Sequence, residues 1–353
     1  MILPGFGLAA QEKLDRAKVL IVGMGALGCP ALQYLVGAGV GQIGIVDPDT
    51  ISESNLHRQL LYGQADIRKS KVAIAADAMR LQNPTIQITT YPIALERKNA
   101  LELMEGYDLV IDATDNFQAK YILNDAAAIL KIPLIYGAVS RYQGQVSVFH
   151  FPDKEGICFS YRDLFPIEPS DTIAGSCESL GVIGVLPGII GCLQAAEAIK
   201  IITGIGRSLA GRLYTHDFLE TSNYEIAILK NKNVQPLTRD AFLIAENQIT
   251  EDWEEIDVDE ISVEAFLDLQ KNSQVYVLDV REREEYPPID FSDAQIPMSE
   301  LLQHIDRLPN KDIYIICHQG IRSVYAAQLI QANKGLKTYS IKGGITAYFN
   351  KLS

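Results

Sequence analysis

The amino-acid sequence predicts an α/β chain of two domains, a nucleotide-binding βαβ domain followed by a smaller α/β domain. Three observations carry that reading. The β-branched run Lys18-Val19-Leu20-Ile21-Val22 ends on Gly23-Met24-Gly25-Ala26-Leu27-Gly28, and apolar residues at helical spacing follow from Leu27 to Leu35. That is a strand, a tight turn and a helix. A second strand, Ile43 to Val46, closes on Asp47 and completes the βαβ unit with an acid where a ribose hydroxyl can be held. Far downstream, Val275 to Arg281 and Asp312 to Ile316 read as two more buried strands, the second running into Cys317-His318-Gln319-Gly320-Ile321-Arg322-Ser323 and a helix.

Composition narrows the function classes. A chain of 353 residues suits about two domains, and 48% hydrophobic with 21% charged residues is an ordinary globular balance. The net charge of -13 repels phosphate backbones and anionic lipid, and no basic patch reverses it locally, so nucleic acid is not expected as a partner. The N-terminus lacks a basic region before an apolar run. The longest apolar stretch, Gly181 to Ala196, is interrupted by Pro187 and is short for a bilayer, so no membrane association and a cytoplasmic location are expected. Cys29, Cys158, Cys177, Cys192 and Cys317 are odd in number and widely spaced, which fits reduced thiols better than a disulfide framework.

The glycine turn lets backbone approach a phosphate at a helix N-terminus, where amide donors and the dipole favour anions. Taken alone it fits NAD or FAD more often than ATP, so an NAD-dependent oxidoreductase stays open at this point. The next segment argues for a triphosphate. Asn55, Arg58 and Lys71 follow close behind the ribose acid, and cations there neutralise the charge that builds up as pyrophosphate leaves. A solvated helix face with ordinary surface cations is the alternative. Leu109-Val110-Ile111 reads as a buried strand with Asp112-Ala113-Thr114-Asp115-Asn116 at its carboxyl end, where a carboxylate can hold Mg²⁺. No Gly-x-x-x-x-Gly-Lys-Ser/Thr run is present, which excludes a P-loop site.

These motifs resemble the MoeB/ThiF/HesA family, relatives of ubiquitin-activating enzymes, over about residues 2 to 235. The likeness continues through Pro133-Leu134-Ile135-Tyr136-Gly137-Ala138, Gly144-Gln145-Val146, and Gly181 to Gly191 leading into Leu193 to Lys200. It implies a Rossmann-like domain with a mixed sheet over 1–240. That domain would adenylate the C-terminal glycine of a ubiquitin-like sulfur-carrier protein ending in Gly-Gly, using ATP and Mg²⁺, as a homodimer. By resemblance, Asp47, Asn55, Arg58, Gln59, Lys71 and Asp115 join Gly23, Gly25 and Gly28 in binding ATP. Asp47 would take the ribose, Asp115 the Mg²⁺, and Arg58 and Lys71 the developing charge. Three departures stand out. An arginine-bearing arm precedes the matching segment in the family, so either that arm lies outside this sequence or another cation takes its place. An arginine usual after Thr114-Asp115-Asn116 is Lys120 here, keeping the charge without the bidentate fork. Two Cys-x-x-Cys pairs that hold zinc in many members are replaced, the first by Ser160-Tyr161-Arg162-Asp163, and the second region, near Gln235 to Thr238, has no cysteine. No structural zinc is expected.

Acids accumulate around Glu251-Asp252-Trp253-Glu254-Glu255, so residues 241–257 are expected to form an acidic linker ahead of a domain over 258–353. A thiol at a strand end, in a loop that opens a helix with Arg322 nearby, has its thiolate stabilised by amides, dipole and cation. Asp279-Val280-Arg281, the Cys317 loop and Gly343-Gly344-Ile345 together resemble a rhodanese domain, whose cysteine carries a persulfide. The loop has four residues between Cys317 and Arg322, where a cysteine phosphatase holds five. The usual Gly-His-Ile segment is missing around Asp293 to Ile296, and the customary Trp is Tyr348. Joined in one chain, the two domains imply thiocarboxylate formation of the molybdopterin or thiamin type: Cys317, fed by a persulfide donor, supplies sulfur to the adenylate. Cys177, in a small and polar stretch expected to form a mobile crossover loop, then releases the product through a disulfide. A binding module that docks a ubiquitin-like protein without chemistry is the remaining alternative.

Overall fold

The computed structural model describes residues 5–166, 182–231, 234, 237–244, 258–272, 275–281, 283, 285–298, 300–318 and 320–352. The chain divides into two compact units, Met1–Gln248 and Ile249–Ser353.

The first unit opens with α1 (Leu8–Arg16), then β1 (Lys18–Val22), α2 (Gly28–Ala38), β2 (Gln42–Val46), α3 (Lys71–Gln82) and β3 (Gln87–Tyr91). It continues with α4 (Arg97–Met104), β4 (Leu109–Asp112), α5 (Phe117–Leu130), β5 (Leu134–Ser140), β6 (Gln143–Phe149) and the short α6 (Tyr161–Leu164). Helix α7 (Val185–Thr203), β7 (Arg212–Asp217), β8 (Ser222–Ala227) and α8 (Arg239–Ile244) complete it. One mixed sheet runs β3-β2-β1-β4-β5-β6-β7-β8; β1 to β5 are parallel and β5 to β8 antiparallel.

Helices cover both faces of the parallel half. Val19 and Ile21 pack in one core with Leu14, Leu32, Val72 and Ile190, whereas Leu20 and Val22 pack in another with Leu101, Tyr121, Leu123 and Phe242. This is why β1 and β4 read as unbroken apolar runs, while β8 alternates between partly and fully exposed residues. From β1 the chain winds outward to β3 and then returns to β4 on the other side. The carboxyl ends of β1 and β4 therefore flank the crevice where such sheets bind ligands.

Pro187 does not end the apolar stretch as expected. It lies in the first turn of α7, where an N–H would have no intrahelical acceptor. The 19-residue helix that results reaches the length and hydropathy of a membrane span. Here it packs on β5, β6, α1 and α2. Two of its buried polar side chains find protein partners, as Gln194 Nε2 donates to Asp112 O (2.6 Å) and Glu197 Oε2 accepts from Leu209 N (2.8 Å), while Gln194 Oε1 has none. Phe242 of α8 is fully buried in the second core, so packing in this unit reaches into the start of the expected 241–257 linker. Residues 245–257 lie outside the described residues.

The second unit comprises β9 (Asp259–Ile261), α9 (Val263–Asn272), β10 (Tyr276–Asp279), β11 (Ala294–Gln295), α10 (Leu301–His304), β12 (Ile313–Ile316), α11 (Ile321–Lys334), β13 (Thr338–Ile341) and α12 (Gly344–Leu352). Its sheet, β11-β10-β12-β13-β9, is parallel throughout. Leu278, Ile315 and Ile330 fill one face, and Phe266, Val277, Ile316 and Ile345 the other. Strand β12 is central, so Cys317 emerges at the carboxyl edge of the middle of the sheet.

Candidate functional site

The first site gathers at the carboxyl ends of β1, β2 and β4. Gly23 has φ +97, and a Cβ there would lie 2.5 Å from Ala113 O, so only glycine makes this turn without strain. A Cβ on Gly28 would lie 1.9 Å from Gly23 O, whereas one on Gly25 would meet nothing nearer than Gln59 Nε2 at 3.6 Å. Two glycines thus close the turn on itself, and the third leaves its outer surface open for a phosphate. Asp47 fastens the turn to β2, since its Oδ2 accepts from Met24 N (2.7 Å) and its Oδ1 from Asp49 N (2.8 Å). Burial pushes this carboxyl above the ordinary carboxylate range, with Lys71 pulling the other way. A carboxylate has lone pairs beyond these two bonds, which a ribose hydroxyl can use.

Lys71 opens α3, and its buried ammonium is 2.7 Å from Asp49 Oδ2 and 3.9 Å from Asp47 Oδ1. Asn55 and Gln59 are buried beside the turn, and Gln59 Oε1 has no hydrogen-bond partner. Such an orphaned acceptor next to an open glycine turn fits a ligand that brings donors, as a nucleotide does. Arg58 donates to Ser54 O (3.1 Å) and lies 2.9 Å from His57 Nε2. Its segment is braced from α7, because a Cβ on Gly184 would come within 2.4 Å of His57 O. Asp115 is exposed at the end of β4, followed by Asn116, whose side chain caps α5 through Ala119 N (2.9 Å). One free-standing carboxylate at a strand end fits Mg²⁺, which keeps several waters and takes phosphate oxygens. Among the described residues no group of three or more His, Cys, Asp and Glu comes together.

Lys120, which stands in place of the family's arginine, turns into the fold. Its buried ammonium donates to Asp112 Oδ2 (3.0 Å), Thr114 O (2.9 Å) and Gly137 O (2.8 Å). The charge is retained but serves to tie β4 to β5 beneath the crevice. The residues at the zinc positions do other work as well. Ser160 caps α6, and Asp163 accepts from Ser160 N (2.7 Å), Lys230 Nζ (2.9 Å) and Asn231 N (3.0 Å), while Lys230 also donates to Cys158 O (3.1 Å). A hydroxyl and one carboxylate already engaged by three donors do not fit a tetrahedral zinc site.

The second site is a single loop. Gly320, at φ +87, turns the chain so that its N–H points at Cys317 Sγ (3.1 Å), with Ser323 N at 3.4 Å and Ser323 Oγ at 3.5 Å. Cys317 is 1% exposed and lies at the N-terminus of the 14-residue α11. Ile345 N and Thr346 N bond to Cys317 O and His318 O, which is the part played by the Gly343-Gly344-Ile345 segment. Arg322 differs from expectation: both of its terminal nitrogens pair with Glu285 (2.5 and 2.7 Å), so the guanidinium is held by a carboxylate and the sulfur is served by amides. Cys177 lies outside the described residues. Two participants escaped sequence reasoning, Asp49 and Glu285. The Asp-x-Asp spacing after β2 and the acid run following Arg281 were the signals for them.

The ThiF family model matches residues 1–237 and the rhodanese-like domain model residues 262–351. A protein of Thermus thermophilus named sulfur carrier protein adenylyltransferase is 47% identical over 232 residues, covering 65% of this chain and 86% of its own. One of Mycobacterium tuberculosis named probable adenylyltransferase/sulfurtransferase MoeZ is 34% identical over 374 residues, covering 100% of this chain and 92% of its own. Among solved structures, E. coli MccB with ATP superposes with a TM-score of 0.56 at 19% identity, covering 65% of this chain and 69% of that one. That likeness concerns the fold.

Proposed function

We propose, from the premise that this chain belongs to the ThiF family and carries a rhodanese-like domain, that it adenylates the C-terminal glycine of a ubiquitin-like sulfur carrier and then delivers sulfur to it. The observation that carries the proposal is the joining, in one chain, of an open glycine turn flanked by Lys71, Arg58 and Asp115 with a thiol served by loop amides. The named relatives support both halves, one as a sulfur-carrier adenylyltransferase and one as an adenylyltransferase/sulfurtransferase over the whole chain. With the family shown, the oxidoreductase reading gives way; the docking-module reading is left to the experiment below.

ATP would lie over Gly25, with its ribose on Asp47 and its phosphates towards Lys71 and Arg58; Mg²⁺ would be held by Asp115, where it supplies charge to the phosphates. Asn55 and Gln59 offer amides to the nucleotide. A carboxylate oxygen of the carrier attacks the α-phosphorus, the bond to the bridging oxygen breaks, and pyrophosphate leaves with the electron pair. Lys71 and Arg58 stabilise that departing charge. Binding ATP requires Lys71 to exchange Asp49 for phosphate oxygen. Sulfur then displaces AMP: the terminal sulfur of a Cys317 persulfide bonds to the carbonyl carbon, and AMP leaves. Attack of a second thiol, Cys177 in this proposal, on Cys317 Sγ frees the thiocarboxylate and leaves a disulfide. A persulfide donor, a homodimer and a cytoplasmic location belong to the same proposal. The described cysteines are all free thiols, which is consistent with a reducing compartment.

The test is to incubate the protein with ATP, Mg²⁺ and each diglycine-ending carrier from the same genome, and to weigh the carriers. A mass gain of AMP or of one sulfur is expected for one of them. Failure of every carrier to release pyrophosphate would reject adenylation and leave a docking module.

A further inference from the structure

The Cys317 loop contains two side chains able to carry positive charge, and one carboxylate meets both. Glu285 binds Arg322 through two oxygens (2.5 and 2.7 Å), and its Oε2 lies 3.9 Å from His318 Nδ1. Glu285 is itself largely buried, with 12% of its side chain exposed. Of the two arginines that follow β10, Arg281 is fully buried and engaged with Asp279 and with Pro287 O (2.7 Å), and the exposed Arg283 pairs with Glu300 (2.8 Å). The rim of the sulfur site is therefore neutralised from within the fold. A cation presented to a small dianion would raise its local concentration and fix its orientation; here a carboxylate already occupies that role.

We propose that Glu285 sets the class of sulfur donor, disfavouring sulfur–oxygen dianions of the thiosulfate type and favouring donors that carry sulfane sulfur on a thiol. The proposal rests on Cys317 being the persulfide carrier. In the favoured step the Cys317 thiolate attacks the outer sulfur of a neutral RSSH, a sulfur–sulfur bond forms to Sγ, the donor's own sulfur–sulfur bond breaks, and RS⁻ leaves with the electron pair. In the disfavoured one the thiolate attacks the outer sulfur of thiosulfate and sulfite leaves as a dianion. The two steps are equivalent in electrons and differ in the charge that must enter the loop. Glu285 adds a negative charge against the dianion and removes the positive charge that would receive it.

The test uses the full-length protein, loading Cys317 in single turnovers and following it by intact mass with peptide mapping. The donors are thiosulfate and the persulfide of N-acetylcysteine amide. Glu285→Gln is expected to shift the preference between them about tenfold towards thiosulfate, chiefly by lowering the thiosulfate concentration that gives half-maximal loading. Added salt should weaken that gain, because the new attraction is between charges. Glu285→Asp, which keeps the charge, should return the preference towards wild type. An unshifted preference in Glu285→Gln, or equal losses with both donors in Gln and Asp variants alike, would overturn the proposal and leave Glu285 a packing residue. If the wild-type Cys317 takes sulfur from neither donor, the persulfide-carrier reading itself fails, an outcome distinct from an unshifted ratio.

Discussion

The two sites hold their cations in the same way and are built in opposite ways. Lys71 is held by Asp49 and Arg322 by Glu285, so each unit stores a reactive cation against a carboxylate. The first site, however, is assembled from the ends of three parallel strands, a buried segment around Asn55 and Gln59, and a brace from α7 more than a hundred residues downstream. The second is one loop between β12 and α11, with Gly320, Ser323 and Cys317 within seven residues of one another. A distributed site depends on the whole sheet, whereas a local one needs only its strand, its turn and its helix.

The sharpest way to break the comparison is to silence one site at a time. Cys317→Ala should abolish sulfur transfer from a persulfide donor, because no other described thiol is placed at a helix N-terminus with two amides on the sulfur, and should leave carrier-dependent pyrophosphate exchange intact. Loss of exchange in this variant would mean that the two sites are not separable. Arg58→Ala or Lys71→Ala should do the reverse, lowering pyrophosphate exchange by about 10²–10³ while Cys317 still loads. Circular dichroism should show an unchanged fold, and exchange at wild-type rate in both variants would remove these residues from the phosphate site.

The local site and the glycine turn were legible in the sequence because each is a short run whose period changes from strand to helix at a glycine. Asp47, Lys71 and Asp115 could be marked as candidates from the strand ends and the cluster of cations, but their separate roles came through family likeness, as their convergence depends on the strand order. What the sequence hid was the second partner of each charge. Lys120 read only as a charge kept in place of an arginine, and its partners Asp112 and Gly137 O, brought beside it by the pairing of β4 with β5, were not visible in the sequence. Arg322 looked like the cation of Cys317, yet Glu285 from the β10 side claims it. Pro187 looked like a helix breaker because its place in the first turn is set by where α7 starts.

A smaller effect sharpens the comparison at the level of stability. Asp163 joins Ser160 N, Lys230 Nζ and Asn231 N at one buried carboxylate, linking the α6 segment to the chain after β8. Asp163→Ala strands two amide donors and should destabilise the first unit by about 3 kcal/mol in thermal unfolding, leaving the second unit's transition in place. Chelators should not reproduce the effect. Stoichiometric zinc in the purified protein would show instead that a metal holds this junction.

The smallest expected difference separates the units by pH. His150 is half-buried and its Nε2 faces Asn124 Oδ1 at 2.9 Å; desolvation of the ring, with Lys230 nearby, pushes its pKa down from 6.5 to about 4. A group whose folded pKa is depressed binds fewer protons in the folded state than in the unfolded one. Stability is therefore lost as pH falls through the interval from 6.5 to about 4. Asp47, raised by burial, works in the opposite sense, but only once pH approaches the carboxylate range. In the second unit Glu264 is pulled down to about 2 by Lys351, so its contribution is lost only at lower pH. Between pH 7 and pH 5 the first unit's melting transition should fall by an amount equivalent to about 2 kcal/mol, and the second unit's should hardly move. His150→Gln keeps an N–H that can reach Asn124 Oδ1 and cannot titrate, so calorimetry at the two pH values should show the first transition becoming nearly pH-independent in that variant. A fall as large as that of the wild type would place the acid sensitivity elsewhere in the first unit.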